Sequence, residues 1–273
     1  MAEIIKSPLD KKAIFINKKT NKIEFRDTRY YECVEKEYKG QFVPSSTTVL
    51  NNYPKPAAFY DWLKRLGSDA DAVSADAMEK GSNIHALTEV FDLNGSVNFK
   101  SNDNQDIRKF YKENEIEQFH RYFNFSERYK PTIIANEWSV GSGKLGYGGT
   151  LDRVIELKGE TWLIDIKTGN EYEYYWCQLA SYKQLWENFN PHIPIKKVGI
   201  LYLNTSHRTE KDLQGIGWQL KEMPAALTDR YKTFEPYKYW LWRFGKYLSE
   251  FQEIHPNAGP KSKVFQLEYT KNW

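Results

Sequence analysis

Asp152, Asp165 and Lys167 lie in GTLDRVIELKGETWLIDIKTG, residues 149–169, a stretch that reads as two short strands joined at Lys158-Gly159. With a two-residue hairpin loop at that dipeptide, Leu157 faces Glu160, and the register runs back until Asp152 lies opposite Asp165. Both acids then share one sheet face, with Cβ atoms roughly 4.5–5.5 Å apart. Like charges that close repel unless a cation lies between them. In the second strand Asp165 and Lys167 project to the same side, while Trp162, Ile164 and Ile166 form the opposite, apolar face. Two carboxylates and an amine therefore converge. Mg²⁺ prefers oxygen ligands, usually one or two carboxylates with waters and substrate phosphate oxygens, and the backbone carbonyl of Ile166 offers one more oxygen. A water beside such a cation becomes more acidic and attacks better, with Lys167 placed to orient it or to neutralise a phosphate. The plain alternative is a surface hairpin whose Asp and Lys form an exposed ion pair worth about 0–1 kcal/mol.

The elements that would position these groups are legible around them. Upstream, GSNIHALTE repeats Gly81, His85 and Glu89 every four residues, on one helix face. Glu89 is then placed either to hydrogen-bond the His85 imidazole or to be solvated. Downstream, QLASY puts Gln178 and Tyr182 four apart on the helix after the second strand, where they either serve the site or are ordinary positions of an amphipathic helix that also carries Leu179 and Leu185. Glu137 sits in the strand IIANEWSV. AIFINKKTNKIEFRD reads as an N-terminal hairpin turning at Lys18 to Asn21. Ser45, Ser46 and Thr47 are helix caps, and Pro54 and Pro56 punctuate the approach to AAFYDWLKRLG. The pattern then predicts a helix over 70–91, a polar loop over 94–105, a helix from about 107 to 124 and a strand over 132–140. GSGKLGYGG lacks the G-x-x-x-x-G-K-[ST] order of a phosphate loop and reads as a turn between strands. KKVGILYLN and GIGWQLKEM supply further strands. After Pro236 a long helix places Trp240, Leu241, Phe244, Leu248 and Phe251 inward. Periodicity alone supports a mixed α/β domain.

The order of these pieces resembles the PD-(D/E)XK nuclease superfamily, in its RecB-like branch, which includes phage exonucleases and the mitochondrial genome maintenance exonuclease. The pieces are G-x-x-x-H-x-x-x-E at Gly81 to Glu89, G-x-x-D at Gly149 to Asp152, D-x-K at Asp165 to Lys167 and Q-x-x-x-Y at Gln178 to Tyr182, with PSSTTVL upstream. The likeness spans residues 44–203. Leu151 stands where the superfamily's name has proline, as is common in this branch. The resemblance implies a restriction-endonuclease-like core, a central mixed sheet flanked by helices, here with an N-terminal hairpin over 1–43 and a C-terminal helical extension within 44–273. It makes Asp152 and Asp165 metal ligands and Lys167 the catalytic lysine. His85 becomes a further ligand favouring manganese, Gln178 and Tyr182 support the site or touch a phosphate, and Glu137 is an acid of the first core strand with a varying role. The implied activity is Mg²⁺- or Mn²⁺-dependent hydrolysis of DNA, as an exonuclease on single-stranded ends in replication, recombination or repair.

Composition sets limits on this reading. A chain of 273 residues with 40% hydrophobic content can bury a sizeable core. A net charge of +3 is too small to mark nucleic-acid binding by itself, so affinity would need local basic tracks. Candidates are Lys64 and Arg65, His207 and Arg208, and Lys261 and Lys263. Nine Trp, 19 Tyr and 15 Phe offer base-stacking surfaces, with Tyr60 and Trp62 the first choices for a DNA-facing surface. Two cysteines, Cys33 and Cys177, argue against a disulfide framework or zinc site, and they cannot make the four-cysteine iron–sulfur cluster of some RecB-like nucleases. MAEIIKSPLDKK has acids where a transit sequence avoids them, and no stretch is long and apolar enough to span a membrane. The expectation is a soluble protein of a bacterial or virus-infected cytosol. Two other classes compete: a catalytically silent nucleic-acid-binding or assembly protein on the same fold, and a glycoside hydrolase using the acid pair, which the adjacent lysine disfavours.

Overall fold

A computed structural model of the protein describes residues 4–9, 14–17, 28–55, 57–97, 111–204, 217–226 and 234–255. The tight turn of the central hairpin has φ of 53° at Lys158 and 76° at Gly159, the doubly left-handed backbone that a two-residue connection between twisted strands requires. Leu157 pairs with Glu160, and the ladder runs to Arg153 opposite Ile164, in the register expected from the loop length.

Three N-terminal strands, β1 (Ile14–Asn17), β2 (Thr28–Glu32) and β3 (Phe42–Pro44), form one antiparallel sheet. Asn17 of β1 pairs with Thr28 rather than with the residue after the expected turn at Lys18 to Asn21, which lies outside the described residues. This sheet leans on the core: Tyr31 hydroxyl lies 2.9 Å from Thr150 Oγ1, and single bridges join Cys33 to Gly141 and Ser45 to Gly148. The close approach needs a bare backbone at Gly148, where an added Cβ would fall 2.7 Å from Tyr31 Cβ. Ser45 caps the short helix α1 (Ser46–Val49), its hydroxyl accepting from Thr48 N–H at 2.9 Å.

Helices α2 (Ala57–Leu66) and α3 (Ala70–Asn94) follow, then α4 (Glu113–Tyr129). The last begins later and ends later than the expected 107–124. Glu115 explains the start: its carboxylate accepts from the Lys112 N–H at 2.6 Å, closing the first turn. The main sheet then runs through β4 (Thr132–Ser142), β5 (Tyr147–Leu157) and β6 (Glu160–Lys167), crosses through α5 (Tyr174–Phe189), and ends with β7 (Lys197–Tyr202) and β8 (Gln219–Glu222). Strand order is β4-β5-β6-β7-β8, parallel only between β6 and β7. The parallel pair is possible because α5 supplies the long crossover. Helix α6 (Pro236–Ile254) closes the described chain.

Each face of this sheet is covered. Trp138, Leu163, Leu179, Leu185 and Ile200 pack with Trp240 and Phe244 of α6 on one side. On the other, Trp162, Ile164 and Ile166 pack with Ile84 of α3 and Phe119 and Phe125 of α4, as the alternation in β6 requires. Full burial of each large apolar side chain contributes about 1.5–3 kcal/mol. The architecture is α/β, a five-stranded mixed sheet between helices. Among the described residues no helix is long and apolar enough to cross a membrane. His207, Arg208, Lys261 and Lys263 lie outside the described residues.

Candidate active site

Asp152, near the middle of β5, turns its carboxylate across to β6, where Oδ2 accepts the Ile166 N–H at 2.7 Å. His85 rises from α3 between the strands. Its Nε2 lies 3.2 Å from the Ile166 carbonyl oxygen, and its Nδ1 lies 3.4 Å from Glu137 Oε1 and 3.6 Å from Asp152 Oδ2. Both ring nitrogens thus face acceptors, the arrangement of a doubly protonated imidazolium. Burial opposes that charge, but the Asp152 and Glu137 carboxylates outweigh it and push the His85 pKa up to about 9.

Glu137 reaches this group through a backbone irregularity. Its φ is 46° in the middle of β4, a left-handed conformation that costs a non-glycine residue about 1–3 kcal/mol and concentrates at functional sites. The consequence appears in the packing: Ala135 and Trp138, three apart, enter the same core, which strict alternation forbids. The strand register is continuous across Glu137, from Asn136 opposite Arg153 to Trp138 opposite Leu151, and the Glu137 side chain lines the cavity. One ligand atom each from His85, Glu137 and Asp152 all lie within 4.8 Å of one another, a spacing that could hold a metal ion.

Asp165 is differently occupied. It shares the site with Asp152, but the compact group of donors does not include it; its Oδ2 is paired with Lys167 Nζ at 2.6 Å. Its Oδ1 is buried and has no hydrogen-bond partner among the described residues. Burial pushes the Asp165 carboxyl up to about 6, with Lys167 pulling the other way and Asp152 adding to the rise. Burial likewise opposes the charge on Lys167, but Asp165 and Asp152 overcome it and hold the ammonium form. The compact donor group differs from the expected pair of Asp152 and Asp165 in containing Glu137, while Asp165 holds the lysine and keeps Oδ1 unmet.

Gln178 and Tyr182 face the same cavity from α5, the Gln178 amide donating to the Tyr182 hydroxyl at 3.0 Å. The Tyr182 ring lies flat against β5 at Gly149, where a Cβ would come within 2.3 Å of Tyr182 Cε1. The glycine of G-x-x-D is thus the seat of the tyrosine of Q-x-x-x-Y. We expect Gly149→Ala to destabilise the fold by about 1–3 kcal/mol through overpacking, read as a lower urea midpoint at unchanged slope. Glu89 lies on the cavity wall, while the imidazole nitrogens are directed to Glu137, Asp152 and Ile166.

A buried network that sequence reading did not single out fixes Glu137 from behind. Arg153, 1% exposed, donates from Nε to Asp92 Oδ2 at 2.5 Å, from Nη1 to Glu137 Oε1 at 3.2 Å and to the Asp152 carbonyl at 2.7 Å, and from Nη2 to Thr88 Oγ1 at 2.9 Å. Tyr122 of α4 donates to the same Asp92 carboxylate at 2.7–2.8 Å. The sequence held one hint: Arg153 interrupts the apolar strand beside Asp152.

His85, Glu137, Asp152, Lys167, Gln178 and Tyr182 line a cavity of about 1430 Å³, whose wall also takes in residues of α2, α3 and the segment before α5. Within it Glu137 and Asp152 put two carboxylates beside His85. The same excess of negative charge that protonates His85 suits a divalent cation, and the donor set of carboxylates, a carbonyl and one imidazole fits Mn²⁺ or Mg²⁺.

The raised His85 pKa gives a signed pH dependence. In metal-free protein the stabilisation from imidazolium is fully present below the unfolded pKa of about 6.5 and is lost as pH rises through about 9. A cation must displace that proton, so apparent Mn²⁺ affinity rises with pH, approaching about tenfold per unit below 9. Calorimetric titration at pH 6.5, 7.5 and 8.5 checks this; an affinity independent of pH contradicts His85 as a ligand. No protein-family profile matches the chain, and no curated protein matches it.

Proposed function

We propose that the protein is a metal-dependent DNA nuclease, hydrolysing phosphodiester bonds as an exonuclease on single-stranded ends. The observation that carries this reading is the convergence of His85, Glu137 and Asp152 around one point, with Lys167 held beside it by a buried Asp165. A structural ion pair has no use for a histidine and two carboxylates gathered on the wall of a large cavity, with a third, buried carboxylate behind them.

His85, Glu137, Asp152 and the Ile166 carbonyl would hold Mn²⁺ or Mg²⁺. Such an ion supplies a Lewis acid for the phosphoryl oxygen and raises the acidity of water. The protein's own groups do the rest. Lys167, kept charged by Asp165 and Asp152, offers a positive charge to the phosphate and donates hydrogen bonds that orient the attacking water. Arg153 and the left-handed backbone of Glu137 hold the acid in place before substrate arrives, so little reorganisation is needed during the reaction. Tyr182 and Gln178 present a hydroxyl and an amide to the same space.

The test is digestion of linear, circular, 5′-labelled and 3′-labelled DNA with Mg²⁺, Mn²⁺ or EDTA. Hydrolysis of linear single strands with either metal, suppressed by EDTA and absent on circles, is the expected result. The absence of cleavage on every labelled substrate, with DNA binding insensitive to EDTA, would instead establish a binding protein.

A further inference from the structure

One wall of the cavity is apolar without being packed. Helix α2 buries none of its residues, yet it carries Phe59 and Trp62, whose rings stack at 5.9 Å with an interplanar angle of 27°. Both line the cavity, as do Val73 and Met78 of α3, 44% and 63% exposed. The segment entering α5 contributes a second row to the same cavity. Tyr172 and Tyr174 stack at 5.6 Å and 23°, and Tyr175 meets Tyr174 edge-on at 4.7 Å. Lys167 Nζ sits 4.6 Å from the Tyr175 ring centroid, which ties this row to the catalytic lysine.

Flat aromatic surfaces bordering a floor of metal-binding acids and lysine match only certain ligands. An apolar peptide would cover the rings but would leave the charged floor without a counterpart. A paired duplex has its base faces covered by neighbouring bases, so it cannot lay them on protein rings. An unpaired nucleic-acid strand presents both at once, base faces for the rings and phosphates for Arg29 and Arg65, which lie on the same cavity surface. We infer that Phe59 and Trp62 on one wall, and Tyr172 with Tyr174 on the other, form a base-stacking clamp for unpaired nucleotides on either side of the scissile phosphate. The substrate class follows from the nuclease reading on which this rests; the residues that choose single strands over duplex are the new element.

The test is binding rather than turnover. A fluorescein-labelled oligothymidylate and a blunt duplex of equal length are titrated with the full chain in EDTA, and fluorescence anisotropy is read. The wild-type protein is expected to bind the single strand more tightly. Phe59→Ala/Trp62→Ala should weaken that binding by about ten- to a hundredfold while leaving duplex affinity unchanged, and the slope of log affinity against log salt should stay the same because no phosphate contact is lost. Arg65→Ala should reduce that slope. Because α2 buries no residue, the double variant should retain the wild-type circular-dichroism spectrum and melting temperature, and Phe59→Leu/Trp62→Leu, which keeps the apolar wall but not the rings, should weaken binding as well. Unchanged oligothymidylate affinity in the alanine variant, an equal loss on duplex, full affinity in the leucine variant, or no wild-type binding to the oligonucleotide would each overturn the clamp. Selective loss of single-strand binding in a protein that cleaves nothing with either metal would keep the clamp and reject the nuclease reading. Metal-dependent cleavage with normal binding by both variants would do the reverse.

Discussion

Asp165→Asn and Lys167→Ala are each expected to lower the proposed metal-dependent hydrolysis of linear DNA by a factor on the order of 10³ or more, about 4 kcal/mol of transition-state stabilisation, without lowering the stability of the metal-free fold to match. For Asp165 the physical reason is its burial. That burial pushes the carboxyl up to about 6, so the protein carries its charged form at neutral pH at a cost, and an asparagine of the same shape removes the cost. The linkage has a sign: an acid whose folded pKa lies above its unfolded value destabilises the fold as pH rises from about 4 to about 6, and Asp165→Asn should flatten that part of the stability curve in EDTA. The lysine then loses the 2.6 Å contact that fixes its Nζ. A loss of activity far larger than any loss of stability is the mark of a catalytic role, because in a purely structural ion pair the two fall together. Full activity of both variants with magnesium or manganese would reject the assignment. Asp152→Asn differs, since its carboxylate both accepts the Ile166 N–H and faces His85; it should lower metal affinity as well as rate.

How much of this was legible in the sequence follows the range of the interactions concerned. The hairpin register was fixed locally, because a two-residue loop at Lys158-Gly159 admits one pairing and the apolar alternation of β6 admits one face. The helical spacing of His85 and that of Gln178 with Tyr182 were legible for the same reason. Glu137 was named only through the family resemblance, with no fixed role, because its placement depends on a left-handed residue inside a strand, and no local propensity marks glutamate for that conformation. Its position beside His85 and Asp152 is a tertiary fact. The start of α4 was misplaced because the buried Glu115 cap overrides an apolar pattern that begins earlier, and the partner of β1 was displaced because pairing across a longer connection is not written in turn residues. Gly149 shows the two kinds of signal meeting. Its position in G-x-x-D was visible, and its cause, the ring of Tyr182 thirty-odd residues on, appears only when α5 is laid on the sheet.

The largest effect on stability is expected at Arg153, a residue that touches no substrate. Its guanidinium is enclosed, and burial would disfavour its charge were it not for Tyr122, Asp92, Glu137 and Asp152 around it, which together raise its pKa. Replacing it with methionine leaves the buried Asp92 with only the Tyr122 hydroxyl and Glu137 with only His85, and removing one partner of a buried charged network costs about 3–5 kcal/mol. Urea unfolding in EDTA measures it. Arg153→Lys should recover only part of the loss, because a point charge on a flexible stem cannot serve Asp92, Glu137 and Thr88 at once as the planar fork does. Burial already pushes the Asp92 carboxyl up, with Arg153 holding it back, so in the methionine variant Asp92 takes up a proton more readily and the deficit should shrink as pH falls. Adding Asp92→Asn to Arg153→Met should restore stability, by a coupling a double-mutant cycle can read. It should not restore metal affinity, because Glu137 still lacks the Nη1 contact that aims it. Recovery of both together would mean that the network only holds the fold, and that Glu137 finds its place without it.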